Sequence, residues 1–548
     1  MSVAWILAAG CSGELLRPQT DPAGPSAVPR PGPDGREARD APDIPEDGRP
    51  EPGTPPAADA CRQAEIPADR PRRLNITELN TIASDVMDIH NDPFNVLGTD
   101  YMERVGTQLG TSERFVADYV DVTVELARQF VDENPAWRDC GGATCARTLL
   151  ENLSEILLRH PVDSSTVDRW IELVDEAVAL GLEPADGLAS AVASIWISPD
   201  FLLIGTDVAA TPGELRLSDF EIAERLALAI WNSVPDATLL RAAADGALRT
   251  RDGVASRVER MLADPDRGTR WIETFIDSHF DLPSGAAVPL GLEGERNASR
   301  LADDMRTEAV LLIRHVFEQD LPVSTLVRSE TSFLNERLAR HYGVEGVEGN
   351  EFRQVSLAGT ERTGGLLTTG AVLAQEVDLI HRGVNALQTY SCQPLLAPDP
   401  EVIEAASDDI PGDASVREHV EYRMESDACK SCHLLIDPLG AAFETFDAAG
   451  RFRSEYPDGE PIDYRIEALG QWIEGPSDVG DVLVEGDLAA CLTAQVLGFS
   501  SFRRLMLHRR NDRCAAQSML AELGPDPGLR SLMVHAFTTD TFSHRVVE

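Results

Sequence analysis

The sequence predicts a mainly α-helical, multidomain protein, with a helical body and a short β-hairpin near the C-terminus. Helix signals recur along the chain: Asn75 and Glu78, for example, match a capping box followed by apolar residues at helical spacing. Strand signals are few, and the better ones lie at 462–466 and 471–473. With 548 residues, the chain is too long for one ordinary hydrophobic core and should fold as several domains.

The first segment, 1–11, has the features of an export signal that ends in a lipobox. Its apolar run is too short to span a bilayer but suits a signal sequence. Small residues precede Cys11, as they do in bacterial lipoproteins, where such a cysteine is lipidated. A cleaved signal without lipid and a cytosolic protein are the alternatives. No other stretch approaches 18 apolar residues, so we expect membrane attachment only through a lipid anchor.

Residues 12–71 form a predicted disordered, proline-rich linker. Most of its prolines alternate with Gly, Asp and Glu, and such a segment cannot bury enough apolar surface to offset the entropy lost on ordering. We interpret it as a tether between a lipid anchor and a folded body that begins at Arg72. A disordered tail without that role is the alternative.

The charge of the chain excludes one class of partner. Asp and Glu number 92 against 48 for Lys and Arg, which gives a formal net charge of −44. This field repels phosphate backbones, and no basic stripe with interleaved aromatic residues is present, so nucleic acid is not an expected partner. The acidity is typical of a soluble secreted surface; an acidic docking face for a basic redox partner is the alternative.

The motif with the clearest chemistry is C-x-x-C-H, formed by Cys429, Cys432 and His433. Two thiols at this spacing can both bond to the vinyl groups of one porphyrin, and the adjacent histidine can then bind the iron as proximal ligand. The sequence therefore predicts one covalently bound haem c per chain. A structural zinc would need further ligands, and only Cys392 and His419 could be recruited nearby. A thioredoxin-type disulfide would need a βαβ context that the sequence does not show.

Several residues near the motif are candidates for supporting roles. The segment Ile436-Asp437-Pro438 could place a backbone carbonyl or a carboxylate on the second ring nitrogen of His433, or Asp437 and Pro438 could simply start a turn. Further candidates are grouped by role: Met424 as a weak distal iron ligand, with His419, Met506 and His508 as others, and Arg451 and Arg453 as partners of haem propionates.

Nine cysteines allow a further test of export. With Cys11 assigned to lipid and two cysteines to haem, six remain, an even number that suits an oxidising compartment. The predicted disulfides are Cys140–Cys145, Cys491–Cys514 and Cys61–Cys392, although six cysteines allow fifteen pairings. Buried free thiols are the alternative.

From Arg72 onward the chain resembles the secreted cytochrome-c-like multidomain proteins of planctomycetes and myxobacteria. The resemblance is carried by phrases such as RRLNITELN at 72–80, LSDFEIAERL at 217–226, GGLLT at 364–368, CQPL at 392–395 and the haem motif with IDPLG at 436–440. It implies five consecutive domains, at 72–135, 136–210, 211–345, 346–460 (the cytochrome-c-like haem domain) and 461–548. Related sequences often have histidine six residues before the first haem cysteine, where this chain has Arg423.

The resemblance implies an exported haem protein, periplasmic or a lipoprotein of the bacterial outer membrane. We expect it to transfer electrons in the envelope, with a redox partner protein there. One alternative is a haem enzyme that acts on peroxide or on a carbohydrate-linked substrate. Another is a non-redox surface scaffold in which the motif serves only as a structural cross-link. The sequence contains no P-loop, no H-E-x-x-H and no G-x-S-x-G motif.

Overall fold

The computed structural model describes residues 72–98, 112–141, 143–205, 213–280, 282, 287–395, 415–427, 429–457, 459–462, 465–468 and 470–547. All of them belong to one compact unit, Pro52–Glu548. The predicted signal and lipobox (1–11) and the predicted linker (12–71) lie outside the described residues, and so do Cys11 and Cys61.

This part of the chain is mainly α-helical, as the sequence predicts. The helices that the structure describes are, in chain order, α1 Ile76–Met87, α2 Glu113–Glu133, α3 Pro135–Arg138, α4 Ala143–Leu158, α5 Ser164–Ala179, α6 Pro184–Ile197, α7 Pro199–Leu202, α8 Asp219–Trp231, α9 Ala237–Ala244, α10 Arg251–Leu262, α11 Arg270–His279, α12 Ala298–Glu318, α13 Thr325–Arg328, α14 Glu336–Tyr342, α15 Gly370–Gln375, α16 Leu379–Ser391, α17 Val416–Glu425, α18 Lys430–Ala441, α19 Pro476–Glu485, α20 Leu488–Ser501, α21 Arg510–Leu523, α22 Leu529–Ala536 and α23 Asp540–Ser543.

Within the same residues, the strands form four separate two-stranded antiparallel sheets. The strands are β1 Arg72–Arg73, β2 Leu203–Ile204, β3 Gly213–Arg216, β4 Thr331–Leu334, β5 Arg353–Ser356, β6 Ile466–Ala468, β7 Gln471–Ile473 and β8 His544–Val547. β1 pairs with β2, β3 with β8, β4 with β5 and β6 with β7. The sequence predicted strands at 462–466 and 471–473, so β6 begins where the first predicted strand was expected to end.

The first hydrophobic core takes residues between Leu74 and Ile204 from the predicted first and second domains, and Leu228 and Val234 from the predicted third domain. Its start is fixed by a capping box on α1, in which Asn75 and Glu78 bond to each other's backbone N–H groups. The Arg72 guanidinium donates two hydrogen bonds to the Glu78 carboxylate of this capping box, at 2.7 and 2.8 Å. At its centre the ring of Trp196 lies 5.6 Å from that of Phe94.

The second and larger core runs from Leu217 to Phe542 and takes residues from the predicted third, fourth and fifth domains. These three segments therefore share one core. β3 and β8 join its two ends, with Gly213 opposite Val547. The helix α18, which begins with the C-x-x-C-H motif, packs mainly against α16 and α17 of the predicted fourth domain and against β6 of the predicted fifth domain.

A buried polar cluster connects the predicted third and fourth domains. The Glu308 carboxylate accepts hydrogen bonds from the Ser332 hydroxyl at 2.5 Å and from the Tyr342 hydroxyl at 2.6 Å. The Arg362 guanidinium lies 3.6 Å from the centre of the Tyr342 ring and donates to the Thr368 carbonyl. Burial raises the pKa of Glu308 and lowers the pKa of Arg362. These groups stabilise the junction only as a set, since each would be costly to bury alone.

The first predicted disulfide is present: Cys140 is bonded to Cys145. Cys392, however, is bonded to Cys491, with their Cα atoms 5.3 Å apart. The predicted pairs Cys491–Cys514 and Cys61–Cys392 are therefore wrong; Cys514 is itself in a disulfide.

The Cys392–Cys491 bond has a clear structural reason. Cys392 caps the C-terminal end of α16, and Cys491 lies on α20, which packs against that end. The Gln495 side chain of α20 also donates to the Thr389 carbonyl of α16, at 2.7 Å. Cysteine counting could not reveal that these two helices, far apart in the sequence, are neighbours.

Among the described residues, no single helix has the length and apolarity needed to cross a membrane. The helices α19 and α20 taken together would reach the required length and apolarity, and they are bent by 74° relative to each other.

Candidate functional site

The haem motif forms the first turn of α18. The Cys429 carbonyl accepts hydrogen bonds from the backbone N–H groups of Cys432 at 3.2 Å and His433 at 3.1 Å. The helical turn therefore brings all three motif side chains to one end of the helix. Cys432 also packs, partly buried, against the larger core.

Both thiols of the motif are free. Cys429 and Cys432 are half-buried, and they are the free cysteines of the part of the chain that the structure describes. In the same residues, no group of three or more His, Cys, Asp or Glu side chains is arranged to hold a metal ion. The donor set at the start of α18 is thus two thiols and one imidazole, which is the set that covalent haem attachment requires.

The ring of His433 is held by a buried carboxylate. His433 Nδ1 lies 2.7 Å from Asp437 Oδ1, one helical turn further along α18, and Asp437 is fully buried. In a neutral His433 imidazole, a hydrogen bond to this carboxylate places the hydrogen on Nδ1 and leaves the lone pair on Nε2, because an ionised carboxylate can only accept. The imidazole therefore has the tautomer that binds iron through Nε2. Of the two sequence-based alternatives for Asp437–Pro438, the acceptor role is the observed one; Pro438 lies inside α18 and starts no turn.

Arg423 completes this arrangement from the neighbouring helix α17. Its Nε donates to Asp437 Oδ2 at 2.7 Å, so each oxygen of the buried carboxylate has a different donor. Sequence reasoning noted Arg423 only as a departure from related sequences and missed its contact with Asp437. Arg423 and Asp437 are fourteen residues apart and lie on two different helices, so the periodicity of a single helix or strand could not have suggested their contact.

Two glycines set the distance between α16 and α18. A Cβ on Gly440 would lie 1.9 Å from the Leu379 carbonyl oxygen, and one on Gly383 would lie 2.1 Å from the Ile436 carbonyl oxygen. The two backbones therefore touch where they cross, which only glycine allows. This close crossing fixes α18 against the larger core and, with it, the end of the helix that carries the motif.

Arg382, next to Gly383, holds the chain that follows α18. Its buried guanidinium donates to the carbonyls of Phe443 at 2.8 Å, Phe446 at 2.9 Å and Asp447 at 2.8 Å. Burial lowers the pKa of Arg382 to about 10. The residue thus satisfies carbonyl groups that would otherwise be buried without donors. Sequence reasoning did not single out this arginine.

The arginines proposed as propionate partners have acidic partners within the protein. Arg451 lies 2.8 Å from an Asp447 carboxylate oxygen and 3.0 Å from one of Glu295, and Arg453 lies 3.1 Å from one of Glu444. Both arginines therefore help to fold the loop after α18, and their predicted contact with propionates stays a prediction.

An apolar cleft of about 370 Å³ lies beside the motif, between α17, α18 and the β6–β7 pair. Leu434, the residue after His433, lines it and is 45 % exposed, and Trp472 on its rim is 57 % exposed. Other lining residues are Leu379, Val416, Val420, Ala441, Tyr456 and Ile466, with Arg and Glu side chains at the edge.

The candidates for the distal iron ligand lie in different places. Met424 lines the cleft and packs against a small cluster of Leu379, Val420 and Ala441. His419 is half-buried on α17. Met506 and His508 flank Leu507, which packs with Cys491 near the Cys392 disulfide. None of these positions tests the distal role, which stays a prediction.

Family comparisons match two parts of the chain. The family model PSD4, which describes proteins of unknown function (DUF1592), matches residues 217–344. The family model PSCyt3, a protein of unknown function (DUF1588), matches residues 362–456.

These two segments are similar to planctomycete-type, cytochrome-c-like domains of unknown function. The PSCyt3 segment includes the whole haem motif, its partners Arg423 and Asp437, and the crossing glycines Gly383 and Gly440. No curated protein and no solved structure matches the chain.

Proposed function

We propose that this protein is an exported c-type haem protein that transfers electrons in the bacterial envelope. The observation that carries the proposal is the donor set at the start of α18: two free thiols and an imidazole whose Nδ1 is held by Asp437. Cys429 and Cys432 would hold the haem through thioether bonds, and His433 Nε2 would bind its iron. A bound haem would supply a one-electron iron couple.

The residues of the chain contribute rigidity to this role. Arg423 and Asp437 orient the His433 ring, and the Gly383–Gly440 crossing holds the helix that carries it. A ligand that is already oriented in the folded protein needs little reorganisation when the charge on the iron changes, which suits electron transfer.

Export is supported by the disulfides. Cys140–Cys145 and Cys392–Cys491 are both formed, and such bonds persist in oxidising compartments such as the periplasm. Lipidation of Cys11 would then attach the protein to a membrane, where an envelope redox protein would be its partner. Metabolic labelling with palmitate tests this step: the wild-type chain should be labelled and Cys11→Ser should not. Labelling of both, or of neither, would contradict the proposed lipid anchor.

The haem itself is tested by expressing the full chain with a functional cytochrome c maturation system. We expect an intact mass increased by one haem and a c-type reduced-minus-oxidised spectrum. Cys429→Ala/Cys432→Ala should abolish both, whereas Cys140→Ala/Cys145→Ala, a matched loss of two cysteines, should keep both. A wild-type chain that is exported without covalent haem would leave only the scaffold function.

A haem enzyme is the second candidate, and the cleft beside the motif favours it. Leu434, which follows His433 in the sequence, lines this cleft, and Trp472 and Tyr456 offer aromatic surfaces to a substrate. An open iron position would give a high-spin ferric spectrum that changes when cyanide or peroxide is added. A low-spin spectrum insensitive to both would favour the electron carrier.

A further inference from the structure

His433 is bonded to a charged carboxylate, Asp437, that is itself paired with Arg423, although orienting the imidazole would require only a neutral acceptor. A neutral backbone carbonyl could fix the same tautomer. Here the acceptor is a carboxylate with no exposed surface, and the side chains of its partners are only 19 % exposed for His433 and 16 % for Arg423. A full negative charge is thus placed next to the imidazole in a site with little water to screen it.

Arg423 explains how this charge can be buried. A carboxylate without a partner is expensive to bury, and a nearby cation with a good hydrogen bond offsets much of that cost. Arg423 bonds only to Oδ2 and leaves Oδ1 to His433, so the cation does not compete for the oxygen that the imidazole uses. The pair therefore presents a fixed, negatively charged acceptor to Nδ1.

We propose that Asp437, held by Arg423, is a positioning residue that makes His433 a strong electron donor and lowers the reduction potential of the haem. This inference rests on the proposed function. A charge-assisted hydrogen bond is roughly twice as strong as a neutral one and raises the basicity of the ligand. A more basic ligand and a nearby negative charge both favour the oxidised iron over the reduced iron.

The experiment measures the midpoint potential of the haem-loaded full chain by spectroelectrochemistry, after its mass has shown that haem is bound. Asp437→Asn keeps the shape and an acceptor oxygen but removes the charge. We expect it to raise the midpoint, with at least a tenfold change in the ratio of oxidised to reduced protein at a fixed potential, or about 59 mV for one electron. Arg423→Gln/Asp437→Asn, which leaves no unpaired buried cation, should shift the midpoint in the same direction but by a smaller amount.

The matched control is Arg128→Gln/Glu125→Gln. This ion pair lies on α2, at 2.9 Å and away from the cleft, and both side chains are more than half exposed. Removing it neutralises one cation and one anion as the double variant does, so the midpoint should not move. A control shift as large as that of Asp437→Asn would overturn the proposal, because the effect would then not be specific to His433.

Other outcomes also separate the inference from the proposed function. An unchanged or lower midpoint in Asp437→Asn with haem still bound would leave the haem protein standing and refute the role of Asp437. A wild-type chain without haem would refute both.

Should the variants not fold or not bind haem, ¹⁵N NMR of the haem-free wild-type chain gives an independent result. We expect a single His433 tautomer with the hydrogen on Nδ1, and a mixture of tautomers would contradict the proposal.

Discussion

Replacing Gly440 by alanine tests whether the crossing of α16 and α18 holds the candidate site together. The new Cβ would lie 1.9 Å from the Leu379 carbonyl oxygen and 3.1 Å from the Gly383 nitrogen, and contacts below 3.0 Å are essentially never seen. Both neighbours are backbone atoms, so no side chain can rotate away. The two helices would have to separate by about 1 Å, which loosens dispersion contacts along the crossing.

The expected cost follows from this geometry. Alanine is favoured over glycine inside a helix by about 1 kcal/mol, so without a clash the variant would be more stable than the wild type. Overpacking costs typically 1–3 kcal/mol, and a backbone clash belongs at the upper end, about 3 kcal/mol. The net loss is therefore about 2 kcal/mol, which lowers Tm by about 3 °C for a cooperative unit of roughly 330 residues.

The assay is thermal unfolding followed by circular dichroism, with Gly475→Ala as control. Gly475 precedes α19 in the same core region, and a Cβ there would meet nothing within 4 Å. We expect the control to change stability by about 0.5 kcal/mol. A Gly440→Ala protein as stable as the wild type, or more stable, would refute the close crossing. If the crossing also positions the motif, the haem-loaded fraction of Gly440→Ala should fall under identical expression.

Two further predictions concern the disulfides and pH. The Cys392–Cys491 bond closes a loop with a sequence separation of 99, and chain entropy predicts that replacing both cysteines by alanine costs about 5 kcal/mol of stability. The Cys140–Cys145 bond closes a loop with a separation of 5, and its replacement should cost about 2 kcal/mol. Equal losses in denaturant unfolding would contradict this prediction. Burial lowers the pKa of His279 from 6.5 to about 4, so between these pH values the unfolded chain binds a proton that the folded protein excludes. The contribution of neutral His279 to the free energy of unfolding is therefore complete above pH 6.5 and is lost as the pH falls toward 4. His279→Phe should therefore flatten the stability profile between pH 7 and pH 5, and an unchanged slope would show that other groups set it.

Local features were predictable because the information that determines them is local. The capping box of Asn75 and Glu78 forms as expected, since three residues suffice to define it. The Cys140–Cys145 bond forms because a short loop can close on itself with little help from the rest of the fold. For Asp437 the sequence left two alternatives, an acceptor for His433 or the start of a turn, and the acceptor role was decided only when the structure showed both residues on one helix.

The missed features all depend on which helices are neighbours. Cys392 and Cys491, Gly440 and Gly383, and Arg423 and Asp437 meet only because α16, α17, α18 and α20 pack together. Helical periodicity gives the apolar face of each helix but not the helix that covers it. Arg423 shows the consequence most clearly, because the sequence marked it only as a departure from related chains. In the structure Arg423 is the counter-ion of the Asp437 carboxylate that holds His433. A chain with histidine at this position would therefore need another partner for that buried carboxylate.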